Sequence, residues 1–148
     1  VNKTDQLVQA QLVQQYRIKH GRVIWITVYT KALGKPRMTQ RDKFKPAAQR
    51  YFAYKDEVRR QVKIPLWRLP EPLTFSWRIW LPIPPSVSQA ENERRRGTGH
   101  RFKPDKDNLD KALMDILFSK DERIVGTRFQ EKIWEDFNKP RIEMELRW

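Results

Sequence analysis

The sequence predicts an α+β fold: a small mixed sheet of about four strands, ordered β-α-β-α-β-β along the chain, with the helices on one face. Three observations carry that expectation. Leu73, Phe75, Trp77, Ile79 and Leu81 alternate with Thr74, Ser76, Arg78 and Trp80, and residues 142–148 alternate apolar and polar side chains, both with the period two of half-buried strands. Residues 47–62 and 109–117 instead repeat apolar side chains at spacings of three and four, the stripe of a helix packed on a core. No internal repeat interrupts the pattern, and 148 residues suit one domain with one core.

Residues 1–21 read as a glutamine-rich amino-terminal arm with a weak helical pattern. Thr4 or Asp5 would cap it, Leu7, Val8, Leu12 and Val13 would share a side, and Gly21 would end it. The domain proper is then 22–148. From Arg22 to Thr30 both alternating sets are apolar (Ile24, Ile26 and Val28 against Val23, Trp25 and Tyr29), which predicts a strand covered on both faces. Gly34 and Pro36 make residues 31–45 a loop, carrying Lys31, Lys35, Arg37, Arg41, Lys43 and Lys45.

Pro46 fits the first position of a helix that should run to about Val62, with Ala47, Tyr51, Tyr54, Val58 and Val62 toward the core. Pro65 and Pro70 mark a connector, and Leu73, Phe75, Trp77, Ile79 and Leu81 form the buried face of the next strand. Residues 82–101, with Pro82, Pro84 and Pro85 before Arg94, Arg95 and Arg96, read as a long flexible basic loop able to grip phosphates. A helix should start near Asn108, with Leu109, Ala112, Leu113, Ile116 and Leu117 on its apolar side and Asp107 as its N-cap. Val125, Thr127, Phe129 and Ile133 outline a third strand. After the Asn138-Lys139-Pro140 turn, Ile142, Met144, Leu146 and Trp148 form the fourth.

Lys and Arg number 31 against 18 acidic residues, a formal charge of +13. That excess favours polyanions through counterion release and long-range steering, and nucleic acid is the foremost candidate. The absence of cysteine excludes a disulfide framework and a thiolate zinc site, and His20 and His100 stand outside any H-x-x-x-H spacing. The run Val23-Ile24-Trp25-Ile26 is too short to span a bilayer or to form a signal-peptide core. A cytoplasmic protein with no membrane partner is expected.

In this basic chain two aspartates, Asp105 and Asp107, stand one residue apart just before a helix. Carboxylates that close repel unless a cation lies between them. Mg²⁺ takes oxygen ligands, keeps several waters and needs only a few carboxylates when a phosphate fills the rest of its shell. Asp121 is a candidate third ligand, although the intervening helix carries its far end roughly 15–18 Å away at 1.5 Å per residue, so that Asp121 must reach back. Asp107, Lys111 and Asp115 recur every fourth residue along one polar side. Leu109 and Asp110 exclude an EF-hand, and no glycine-rich phosphate loop is present. By itself, D-x-D is open to two readings, a metal site and a plain helix cap.

The stretch Lys103-Pro104-Asp105-Lys106-Asp107-Asn108-Leu109-Asp110-Lys111, followed by Asp115 and Ser119-Lys120-Asp121-Glu122-Arg123-Ile124, resembles the RusA family of Holliday junction resolvases, carried by bacteria and phages. Pro36-Arg37-Met38-Thr39 and Asp42-Lys43-Phe44 are similar to phage-type members, and the resemblance covers residues 35–148. It implies a homodimeric endodeoxyribonuclease, dependent on Mg²⁺ with Mn²⁺ as an alternative, that cuts paired strands of branched DNA at four-way junctions. By position, Asp105 and Asp107 match the motif aspartates, Lys111 the motif lysine, and Asp121 the downstream metal-binding aspartate. Lys120 stands where many members have an acid, and Asp115 matches a helix aspartate with a supporting role. On this reading Arg37, Lys43, Arg94, Arg95, Arg96 and Lys103 bind DNA. The rival readings are a non-catalytic nucleic-acid-binding module, in which Asp107 only caps its helix, and a nuclease for other branched DNA.

Overall fold

The computed structural model describes residues 3–5, 23–37, 39 and 41–148. The helix expected across Leu7, Val8, Leu12 and Val13 lies outside the described residues. Among those described, the chain forms five strands, β1 (Val23–Val28), β2 (Leu73–Leu81), β3 (Ile124–Gly126), β4 (Gln130–Trp134) and β5 (Arg141–Arg147). Three α-helices accompany them, α1 (Pro46–Gln61), α2 (Gln89–Arg95) and α3 (Lys106–Leu117). None is long and apolar enough to cross a membrane.

The α+β class and the mixed sheet are as expected, with five strands in place of four and the run β-α-β-α-α-β-β-β. β2 is central. On one side it pairs antiparallel with β5, which in turn pairs antiparallel with β1. On the other side β3 and β4 both run parallel to β2, β3 beside Leu73 and Thr74, β4 beside Trp77 to Leu81. The single strand expected across Val125 to Ile133 is split because residues 127–129 leave the ladder. There the Arg128 N–H donates to the Ser76 hydroxyl at 2.8 Å, and the Trp77 N–H donates to the Phe129 carbonyl at 3.1 Å.

α1 and α3 cover one face of the sheet. Tyr51, Tyr54 and Val58 from α1, and Leu109, Leu113 and Ile116 from α3, join Phe75, Trp77, Ile79, Ile142, Met144 and Leu146 in one buried core. Each large side chain so buried contributes about 1.5–3 kcal/mol by removal from water. Trp77 is fully buried, and its indole N–H donates to Asp110 Oδ1 at 2.9 Å, which fixes how α3 is turned on the sheet. Phe118 meets Phe75 edge to face at 5.4 Å.

Among the described residues, α1 and α3 leave the opposite face of β1 uncovered, and only Val23 is buried there. Ile24, Ile26 and Val28 are buried, whereas Trp25 and Thr27 are exposed. Trp25 shields part of its ring by stacking on Phe129 at 5.9 Å, and the Arg78 guanidinium lies 4.2 Å from the same Phe129 ring. A buried carboxylate, Glu145, is satisfied on this side by Arg128 at 2.9 Å and Arg147 at 2.7 Å.

The expected flexible loop over 82–101 is largely ordered structure. The Ser88 hydroxyl accepts from the Glu91 N–H at 3.2 Å and caps α2. Beyond it, residues 97–100 run alongside β4, with Trp134 N–H donating to Thr98 at 2.8 Å and His100 N–H to Lys132 at 2.9 Å. α3 begins two residues before the expected start. Its first hydrogen bond runs from the Leu109 N–H to the Asp105 carbonyl at 3.1 Å, which makes Asp105 the N-cap residue and sets Asp107 inside the first turn.

Candidate active site

Lys103, Pro104 and Asp105 lead into α3 along one wall of a cleft of about 720 Å³. Ala32 to Pro36, from the β1–α1 loop, and Arg50 and Tyr51 from α1 form the other walls. Asp105, Asp107 and Lys111 all face this cleft, so the structure brings together three of the four residues expected to be catalytic. Asp105 has extended backbone at φ −74° and ψ 161°, and its carboxylate makes no capping hydrogen bond. Both aspartates are exposed and sit at the positive end of the helix dipole, which favours carboxylates and phosphates there.

Gly34 is where the β1–α1 loop meets α3. A Cβ at that position would lie 2.3 Å from Asn108 Nδ2 and 3.3 Å from Pro104 Cβ. Next to it, the Lys35 ammonium pairs with Asp115, and this hydrogen bond is the main reason the Lys35 pKa lies above its ordinary value. Asp115 therefore ties the β1–α1 loop to α3 and does not line the cleft itself.

A second depression, of about 520 Å³, opens on another side of Asp105, between Arg101, Lys106 and Lys132. Lys132 reaches from β4 to the lead-in, donating to the carbonyls of Phe102 at 2.5 Å and Pro104 at 2.7 Å. Burial pushes its pKa down, the Asp105 carboxylate pushes it up, and Lys106 pushes it down.

The other expected residues are spread more widely. Asp121 lies in a single helical turn, Asp121–Arg123, beyond the far end of α3. The 12 residues of α3 put roughly 18 Å between its ends at 1.5 Å per residue. Asp121 lines no part of the cleft, and among the described residues no three acids or histidines form a group able to hold a metal ion. The turn carries a second exposed acid, Glu122, which the reading of Lys120 as the position before Asp121 passed over.

Lys103 lines the cleft, whereas Arg37 and Lys43 are exposed outside it. Arg94 and Arg95 both pair with Glu91, and the Arg95 guanidinium lies 5.0 Å from the centre of the Trp134 ring. Arg96 donates to the Asp136 carbonyl at 2.8 Å. These three arginines hold α2 and its surroundings together and do not border the carboxylates.

Sequence reasoning missed Arg50, Gly34, Lys35 and Lys132 as neighbours of the pair. All four come from segments remote in sequence, and only the Gly-Lys-Pro turn carried any signal of its own. Two oxygen donors at the mouth of an open cleft, edged by cations, suit a hard divalent ion that keeps waters and shares a phosphate.

The family described as Endodeoxyribonuclease RusA matches residues 29–147 of the chain. No curated protein matches it.

Proposed function

Because the chain belongs to the RusA family of endodeoxyribonucleases, metal-dependent phosphodiester hydrolases that resolve Holliday junctions, we propose that it cuts four-way DNA junctions with Mg²⁺, using Asp105 and Asp107 as ligands. The observation that carries this reading is the shared cleft of Asp105, Asp107 and Lys111. Mn²⁺ would substitute in the same oxygen set. A bound divalent ion supplies an activated water and polarises the scissile phosphate.

The chain's own residues do the rest. Asp105 and Asp107 hold their oxygens toward the cleft from an extended residue and a first helical turn. Lys111, one turn further along, supports the negative charge that builds on the phosphoryl oxygens during displacement. Lys103 and Arg50 edge the cleft and hold the DNA backbone without reading sequence. Asp121 stays outside this set within one chain, since α3 separates it from the pair. As a homodimer the protein would present two such clefts to a junction of matching two-fold symmetry.

The test is a labelled four-way junction beside linear duplex of the same sequence, each with Mg²⁺ or a chelator. Paired nicks on the junction alone, lost with chelator, are expected. Equal cutting of linear duplex would redirect the reading to a general nuclease, and salt-sensitive binding without nicking would refute it.

A further inference from the structure

Lys132 is the middle residue of β4, opposite Ile79 of β2, yet its side chain reaches over to a loop. Its ammonium contacts two carbonyls, those of Phe102 at 2.5 Å and Pro104 at 2.7 Å. These bracket Lys103, and the next residue after them is Asp105. Hydrogen bonds from an ionised donor are roughly twice as strong as neutral ones, and a pair of them fixes direction as well as distance. The strand that delivers them is itself held on both sides, by the β2 ladder and by residues 97–100.

From this geometry we infer that Lys132 is a positioning residue: it sets the backbone of residues 102–105 so that Asp105 and Asp107 address one cation. The inference rests on the proposed role of those aspartates as cation ligands. Asp105 precedes the first full turn of α3, so helix hydrogen bonding alone orients Asp107 better than Asp105. The tether at Phe102 and Pro104 supplies what the helix does not.

Charge and tether act in opposite directions, which makes the inference testable. A cation beside Asp105 repels a divalent ion, so a lysine acting only through its charge would weaken metal binding, and its removal would tighten it. A tether predicts the reverse sign.

Mn²⁺ binding to the full chain without DNA, followed by calorimetry, reads that sign. Lys132→Met should weaken binding by about 10–100-fold, the range for losing a group that orients metal ligands. Lys132→Arg, which keeps charged donors, should restore most of that affinity. Lys106→Met removes a neighbouring charge without touching the tether, and should bind Mn²⁺ equally or more tightly. Thermal melting of each variant accompanies the titrations. Equal or tighter binding by Lys132→Met overturns the inference. So does a loss of affinity that follows only from a collapsed melting transition and that Lys132→Arg does not repair. Wild-type protein that binds Mn²⁺ but leaves junctions uncut would count against the proposed function and not against the tether; wild-type protein that binds no Mn²⁺ would overturn both.

Discussion

Gly34 and Asn108 meet so closely that any side chain on Gly34 would fall 2.3 Å from the Asn108 amide nitrogen. The contact joins the β1–α1 loop to the first turn of α3, across the base of the carboxylate cleft. Gly34→Ala should therefore displace the Asn108 side chain and press on Pro104. The displaced atom is the end of a flexible side chain, so the fold should survive with a loss of about 1 kcal/mol, the low end of the usual cost of overpacking. The cleavage rate should fall more than that loss implies. Urea unfolding and a junction nicking assay check the pair, and unchanged nicking would show that this contact does not shape the site.

Asp107→Asn keeps the size of the side chain and removes its charge. Cleavage should drop roughly 10²–10³-fold, the scale for losing one preorganised electrostatic group. Junction affinity should hold or rise, because a negative charge leaves a surface that meets phosphate. Gel-shift and nicking assays on the same preparation measure both. Near-normal cutting would remove Asp107 from the metal set.

Lys103 differs from Arg95 and Arg96 in being an exposed cation on the cleft rim, where it is available to a phosphate. If it neutralises one, Lys103→Ala should lower the slope of log affinity against log salt by about 0.9. The slope for Arg96→Ala should change less, since Arg96 already serves the Asp136 carbonyl. Identical slopes for wild type and Lys103→Ala would mean that no phosphate sits at this position.

His100 gives the protein a pH dependence. Burial first, then the Lys132 ammonium, hold its pKa below the ordinary 6.5. The unfolded chain thus takes up a proton at about pH 6.5, while the folded chain resists it to lower pH. By linkage, the unfolded state then binds more protons, so this contribution to stability is complete above pH 6.5 and is lost as the pH falls through the folded pKa. The difference in unfolding free energy between wild type and His100→Gln should shrink between pH 8 and pH 5. A difference independent of pH would place the His100 titration elsewhere.

Elements built on periodicity were readable from sequence. Leu73–Ile79 alternates apolar and polar residues along β2, until Trp80 breaks the pattern, and Pro46 marks the first residue of α1. α2 escaped because no residue in it is buried, so it has no apolar stripe to read. Its Ser88-x-x-Glu91 start is nonetheless a capping signature that was present in the sequence. Trp25 misled for a different reason: an aromatic ring stacked on an exposed face leaves the same pattern as one buried beneath a second layer. The site divides along the same line. Asp105, Asp107 and Lys111 lie within seven residues of one another and could be read locally. Gly34, Arg50 and Lys132 join them only through tertiary packing, and spacing in one segment carries no information about another.

The pairing of β1 with β5 bears on how the protein is made. Val23 lies opposite Arg147, so β1 finds its partner only in a strand far along the sequence. Contacts so distant in sequence form late, because a long loop must close before they repay its entropy. The loop carrying Gly34 and Lys35 follows directly from β1, and it closes the cleft over Asp107 and Lys111. A chain made only as far as α3 would have its aspartates and its lysine, yet nothing to fasten that wall in place. The cleft therefore needs β5, and a truncation within β5 should cost the nuclease its cleft along with the anchor of β1.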